Sequence, residues 1–212
     1  CKAGYYMEDD FLFNQCFPCD ISCNTCVKGP IKICKTCANN YKFLEDKKNC
    51  FLKEESPVGY YYDLDYDIHK LCDVSCYSCS SRNFCTKCAT DYFPLEDEAS
   101  LCINKNVVFY TQPNTKVSYY YNEGLKNYSK CTKNCKSCKL KEDNCIICNY
   151  DEDYFPIVDK RETCLKECPD FYFKNFLRKE CSHCHESCKK CIDSSAKCQV
   201  KIKIIFLNVF NF

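Results

Sequence analysis

Cysteine is the residue of this chain best placed to do chemistry, and its spacings suit two kinds of it. Nine Cys-x-x-Cys pairs occur, among them Cys16-Cys19, Cys34-Cys37 and Cys188-Cys191. Thiolates two residues apart are common zinc half-sites, whereas in an oxidising compartment such thiols close into disulfides. Twenty-six of 212 residues are Cys, above the roughly 8–10% that marks a disulfide scaffold. Structural zinc takes four ligands. The two middle stretches of the chain, built around Cys72–Cys102 and Cys131–Cys164, carry six cysteines each. Six divides into three disulfides but not into four-ligand sites, and His69 is the one nearby residue that could replace a missing thiolate. Disulfides are therefore the expectation, with no metal and no cofactor.

Other chemistry finds little footing. The only histidines are His69, His183 and His185, which read as plain surface residues. His183-Cys184-His185-Glu186 lacks the i, i+4 histidine pair of a metalloprotease helix. A nucleophilic cysteine would have to stay unpaired, and 26 cysteines close into thirteen bonds with none left over. Asp63-Leu64-Asp65-Tyr66-Asp67 has Ile68 where an EF-hand needs Gly and Val74 where it needs Glu, so it reads as a solvated acidic loop. Asn127-Tyr128-Ser129 is a glycosylation sequon. No catalytic residue is assigned, and the chain is not expected to be an enzyme.

Composition bounds the scaffold that holds these groups. The 46% hydrophobic content counts the cysteines; with no Trp, one Met and a mean hydropathy of −0.45, aliphatic residues are too few for one large core. Thirty basic residues nearly cancel 29 acidic ones, which excludes a nucleic-acid binder. No stretch reaches the ~20 apolar residues of a spanning helix, so no membrane span is expected within the chain. Opening at Cys1 without Met, the sequence reads as a mature product or a piece of a longer one.

A repeat organises the cysteines. Cys19, Cys72, Cys131 and Cys184 each lead a four-cysteine figure, and they lie 53, 59 and 53 residues apart. Tyrosine clusters precede each figure: Tyr5-Tyr6, Tyr60-Tyr61-Tyr62, Tyr119-Tyr120-Tyr121 and Phe171-Tyr172-Phe173. A second aromatic follows the later Cys-x-x-Cys, at Tyr41, Tyr92-Phe93 and Tyr154-Phe155, preceded by Asn40, Asp91 or Asp153. Asn and Asp tolerate left-handed φ, so these three positions predict turns at which short hairpins begin. The repeats run 1–50, 51–102, 103–164 and 165–200, and 201–212 is an apolar tail of unassigned role.

Absent cysteines disclose part of the pairing. The places held by Cys1 and Cys16, and by Cys168 and Cys181, fall on Ser56 and His69 in repeat two and on Thr115 and Tyr128 in repeat three. Both members vanish together, twice, so Cys1 pairs with Cys16 and Cys168 with Cys181. Lys201 stands where Cys37, Cys88 and Cys148 stand elsewhere, and the partner's place lies past the end of the chain. Hence Cys37–Cys50, Cys88–Cys102 and Cys148–Cys164 are pairs. The remaining four cysteines of each repeat pair among themselves, in an order the spacing leaves open.

These spacings resemble the furin-like repeat of growth-factor-receptor cysteine-rich domains, proprotein convertase tails and surface proteins of ciliated protists. Cys168-Pro169 with Tyr172-Phe173, and Cys184, Cys188, Cys191 and Cys198, carry the resemblance. It implies first-to-third and second-to-fourth pairing: Cys19–Cys26 with Cys23–Cys34, Cys72–Cys79 with Cys76–Cys85, Cys131–Cys138 with Cys135–Cys145, and Cys184–Cys191 with Cys188–Cys198. The expected fold is small and disulfide-rich, an elongated rod of tandem cystine modules with short β-hairpins and tyrosines laid on the cystines. Segments 56–69 and 115–128, without their bridge, should be its loosest parts and the best placed to bind. The expected function is a non-catalytic extracellular or cell-surface protein, binding a protein or peptide ligand or its own copies. The alternatives are an accessory region of a larger convertase-like enzyme or kinase-linked receptor and, third, an intracellular zinc protein.

Overall fold

The computed structural model describes residues 1–9, 14–28 and 33–201, so the tail 202–212 lies outside the described residues. The chain divides into two compact units, residues 1–105 and 106–212. The first contains β1 (Tyr5–Asp9), β2 (Asn14–Pro18), β3 (Cys23–Val27), β4 (Ile33–Cys37), β5 (Tyr41–Leu44) and β6 (Lys47–Leu52). It continues with β7 (Tyr60–Asp63), β8 (Ile68–Leu71), β9 (Cys76–Ser81), β10 (Phe84–Cys88), β11 (Tyr92–Pro94) and β12 (Cys102–Asn104). The second holds β13 (Phe109–Thr111), β14 (Ser118–Asn122), β15 (Asn127–Lys130), β16 (Cys135–Cys138), β17 (Cys145–Cys148) and β18 (Phe155–Ile157). After them come β19 (Lys160–Leu165), β20 (Tyr172–Asn175), β21 (Glu180–His183), β22 (Cys188–Cys191) and β23 (Cys198–Lys201). Helix among the described residues is limited to one 3₁₀ turn at Tyr150–Glu152.

Each complete repeat is three antiparallel hairpins in series: an opening aromatic hairpin, a cystine hairpin and a closing hairpin. In repeat one these are β1–β2, β3–β4 and β5–β6. The closing hairpins begin where the sequence predicts turns, since Asn40, Asp91 and Asp153 have φ of 69°, 66° and 63°. All four cystine hairpins are bulged in register. A bulge adds a residue to one strand and sharpens its twist, and it recurs wherever four cysteines are gathered.

Aromatics of the flanking hairpins cover the cystines. Tyr120 from the opening hairpin and Tyr154 from the closing one pack with Cys135, Cys138, Cys145, Cys148 and Cys164. Tyr6, Tyr41 and Phe43 do the same in repeat one, and Phe173 covers the fourth module. Dispersed small clusters of this kind replace the single core that composition denies.

The opening hairpin is fastened to its module by two hydrogen bonds that recur around one residue. Gly4 N–H donates to Asn24 O at 2.8 Å, while Cys19 N–H donates to Gly4 O at 2.8 Å. Gly59 repeats this with Tyr77 and Cys72, and Phe171 with Lys189 and Cys184. These three residues have φ of 85°, 81° and 72°. In repeat three the place is Ser118, where the side-chain hydroxyl makes the first bond, donating to Lys136 O at 2.6 Å. Left-handed φ costs a residue with a Cβ roughly 1–2 kcal/mol. A Cβ on Gly59 meets nothing within 4 Å, so backbone strain is the whole effect. Gly59→Ala should lower stability by about 1 kcal/mol in denaturant unfolding; an unchanged midpoint would show that the φ carries no strain.

Two closing hairpins are stitched to the opening hairpin that follows. A one-residue parallel bridge, Leu44 opposite His69, makes the four-stranded order β6-β5-β8-β7. Ile157 opposite Cys181 makes β19-β18-β21-β20 in the same way. A tyrosine clasps each joint: Tyr60 hydroxyl donates to Asp46 Oδ1 and Tyr172 hydroxyl to Asp159 Oδ2, both at 2.6 Å. Repeat three instead extends its opening hairpin with β13, forming a three-stranded sheet.

Candidate functional site

The structure joins all 26 cysteines in thirteen disulfides. Cys1–Cys16 and Cys168–Cys181 both span 5.6 Å between Cα atoms, as do Cys37–Cys50, Cys88–Cys102 and Cys148–Cys164. Within each module the bonds run first to third and second to fourth, for instance Cys19–Cys26 with Cys23–Cys34. No cysteine thiol is left to ligate metal or attack a substrate. Among the described residues, no group of three or more His, Cys, Asp or Glu is arranged to hold a metal ion.

The four positions without a bridge behave differently from one another. Ser56 Oγ and His69 Nδ1 lie 3.0 Å apart, so a hydrogen bond stands where Cys168–Cys181 stands in repeat four. His69 is fully buried, which corrects its reading as a surface residue: its strand is bridged to β5 within one sheet, and the site that cystine fills elsewhere takes the ring. Thr115 Oγ1 donates to Gln112 Oε1 at 2.9 Å, and Tyr128 hydroxyl donates to Val107 O at 2.7 Å. Tyr128 is also fully buried, its ring 5.7 Å from that of Tyr121, and burial pushes its hydroxyl up to about 12. His69 and Tyr128 are thus packing elements, while Ser56 and Thr115, at the other ends of the two segments, are exposed.

The acidic turn of repeat two is tied by lysines rather than open to a cation. Asp63 pairs with Lys70 at 3.0 Å, and Asp67 pairs with Lys42 and accepts the Tyr62 hydroxyl. These bonds hold both carboxyls below their usual range and push Tyr62 up to about 12. His183 and His185 are exposed; His183 Nε2 meets Asp159 at 3.0 Å. At the sequon, Ser129 Oγ donates to Asn127 Oδ1 at 2.9 Å and accepts from Asn122 Nδ2 at 3.3 Å. Ser182, Glu180 and Asn175 make the same pattern in repeat four, so it belongs to the hairpin and not to the sequon.

An open groove of about 590 Å³ in the first unit is lined by Ile21, Tyr41, Phe51 and Leu52, with Asp20 and Glu55 also on its walls. Ile21 is 80% exposed, and so is Val74 at the same place in the next module. Each sits mid-turn in a Cys-x3-Cys segment, too short to fold its central side chain inward. Asp20 and Asp73 brace these turns by accepting the Ser22 and Ser75 hydroxyls at 2.8 and 2.6 Å; the Ser75 bonds hold Asp73 low. Sequence reading missed these apolar residues, although an aliphatic residue locked between two nearby cysteines is a visible signal.

Hairpins clamped by cystine, repeated in tandem around aromatic cover, define a small disulfide-rich repeat protein. Comparison with known proteins agrees. Over 178 residues, 83% of this chain, it is 26% identical to Furin-like protease 2 of Drosophila melanogaster. It is 28% identical over 92% of its length to Major surface-labeled trophozoite antigen 417 of Giardia intestinalis. Cysteine repeat modular protein 2 of Tetrahymena thermophila is 26% identical, again over 92% of the chain. The chain is distantly homologous over most of its length to the cysteine-rich regions of such proteins. It spans 9%, 24% and 12% of those relatives, and no catalytic domain is evident in what it matches. No family model matches the chain, and no solved structure matches it. Thirteen disulfides require an oxidising compartment, and with this homology they mark a secretory-pathway protein.

Proposed function

We propose that the chain is a non-catalytic extracellular scaffold that presents the groove of Ile21, Phe51 and Leu52 to a protein or peptide partner. The observation that carries this reading is the groove itself. Ile21 is held in water by the Cys19–Cys26 and Cys23–Cys34 bonds around it, beside Phe51 and Leu52 at 36% and 38% exposure. Rigid apolar side chains kept exposed at a fixed place are what a partner can bury without paying ordering entropy. Asp20 and Glu55 at the groove favour a partner with a basic residue next to its apolar anchor. All cysteines being bonded, the scaffold offers no nucleophile of that kind.

The similarity to Furin-like protease 2, confined to 9% of that protein, favours a second reading, an accessory cysteine-rich region of a longer enzyme. Asn127 is further proposed to carry an N-linked glycan, attached before β14 and β15 close, because Ser129 is buried in the hairpin; endoglycosidase should then lower the mass of protein from a secreting cell. The test of the main reading is a photo-crosslinking residue placed at Ile21 on chain displayed at the cell surface. A discrete adduct is expected from Ile21 and none from Leu140, which is 79% exposed in repeat three. Equal labelling from both sites would contradict a groove-specific partner.

A further inference from the structure

We propose that the Ser56–His69 pair is an acid-sensitive clasp, holding β8 against β5 while the imidazole is neutral and releasing that joint when the ring takes up a proton. The two stitched joints of the molecule make the comparison. At one, Ile157 lies opposite Cys181, which is bonded to Cys168. At the other, Leu44 lies opposite His69, which is hydrogen-bonded to Ser56. Cys181 and His69 are both completely buried. The same place is filled once by a covalent bond that does not titrate and once by a group that does.

The surroundings of His69 are made for the neutral ring. Nδ1 meets the Ser56 hydroxyl, while Nε2 is buried and makes no hydrogen bond. A second ring proton would put a charge into a completely buried site that offers it backbone carbonyls but no carboxylate partner. Glu54 and Glu55, beside Ser56, are exposed to solvent, and the acids on the packed strands have other partners. On the β5–β6 side, Glu45 accepts from the Leu71 amide at 3.1 Å and Asp46 from Tyr60. On β7 and its turn, Asp63 takes Lys70, and Asp67 takes Lys42 and Tyr62. The Tyr62 ring packs edge-on to His69 at 5.4 Å, with the Lys53 ammonium over that ring at 5.2 Å. From β6 the carbonyls of Leu52 and Phe51 favour a protonated ring, but burial outweighs them and holds His69 below its ordinary 6.5.

The sign follows. The unfolded or opened segment binds the proton more readily than the closed one. The contribution of neutral His69 is whole above about pH 6.5 and is lost as pH falls below it, at most tenfold in the closing equilibrium per pH unit. The joint between repeats one and two would therefore open in acid, while the cystine-locked joint between repeats three and four stays shut.

Two backbone amides report on the two joints in one sample. Glu45 N–H donates to His69 O at 2.8 Å, and Val158 N–H donates to Cys181 O at 3.1 Å. Amide hydrogen exchange of the full chain would be followed from about pH 7.5 to about pH 5, with intrinsic rates corrected. Protection at Glu45 should fall about tenfold or more while protection at Val158 holds. The fall should vanish in Ser56→Cys with His69→Cys, and also in His69→Gln, which covers the case of a misfolded cysteine pair. Parallel behaviour of the two amides across the range, or an acid response that survives in either variant, would overturn the proposal.

Discussion

Replacing Cys135 and Cys145 together by alanine should lower stability by about 4–5 kcal/mol, the larger of two costs that separate buried from exposed bridges. Releasing a loop of ten residues frees about 3 kcal/mol of unfolded-state entropy. The pair also sits in a well-buried cluster, 6% and 2% exposed, with Cys138 and Cys148 beside it and Tyr120 and Tyr154 packed with them. Losing both sulfurs leaves a void in a cluster that has no aliphatic side chain to fill it. Cys1 and Cys16 are exposed, so their double replacement should cost only the loop term, about 3 kcal/mol. Denaturant or thermal unfolding of the two variants checks this; equal losses would mean that the cystines brace the chain without packing in it.

The second large effect has the opposite sign at two similar places. Ser56→Cys with His69→Cys should form a disulfide spontaneously in air and raise stability by about 2 kcal/mol, the bridge gaining about 3 and the lost hydrogen bond costing about 1. The side chains already meet at 3.0 Å, and Cys168–Cys181 supplies the covalent template with Cα atoms 5.6 Å apart. Thr115→Cys with Tyr128→Cys should instead destabilise by about 3 kcal/mol. Tyr128 is a buried ring with its hydroxyl on Val107 O, and β13 has taken over the closing of that hairpin. Thiol titration and thermal unfolding distinguish the outcomes. A repeat-two pair that stays reduced would show that Ser56 and His69 do not hold the bridge positions.

Much of the fold is legible because cystine and turn chemistry act locally. Asn40, Asp91 and Asp153 announce left-handed turns by residue type, and joint absence of Cys partners marks their bonds. Other features are invisible for physical reasons. Cys26 faces Cys34 across β3 and β4, yet Cys34 bonds Cys23, so cross-strand neighbours would have given a different pairing; only the family resemblance implied the diagonal one. The parallel joints rest on single residue pairs and leave no periodicity in the sequence. His69 looks like any polar residue until β5 is laid beside it. Ser118 gives no sign that its hydroxyl replaces a backbone amide in docking the hairpin.

The central claim, that crossed disulfides replace a hydrophobic core in every module, is tested most directly by peptide mapping of non-reduced, alkylated protein. The account predicts no alkylated cysteine, an intact mass one hydrogen lighter for each of 26 cysteines, and linked peptides joining Cys131 to Cys138, Cys135 to Cys145 and Cys148 to Cys164. Peptides joining Cys135 to Cys138 or Cys145 to Cys148, or free thiols accompanied by stoichiometric zinc, would contradict it.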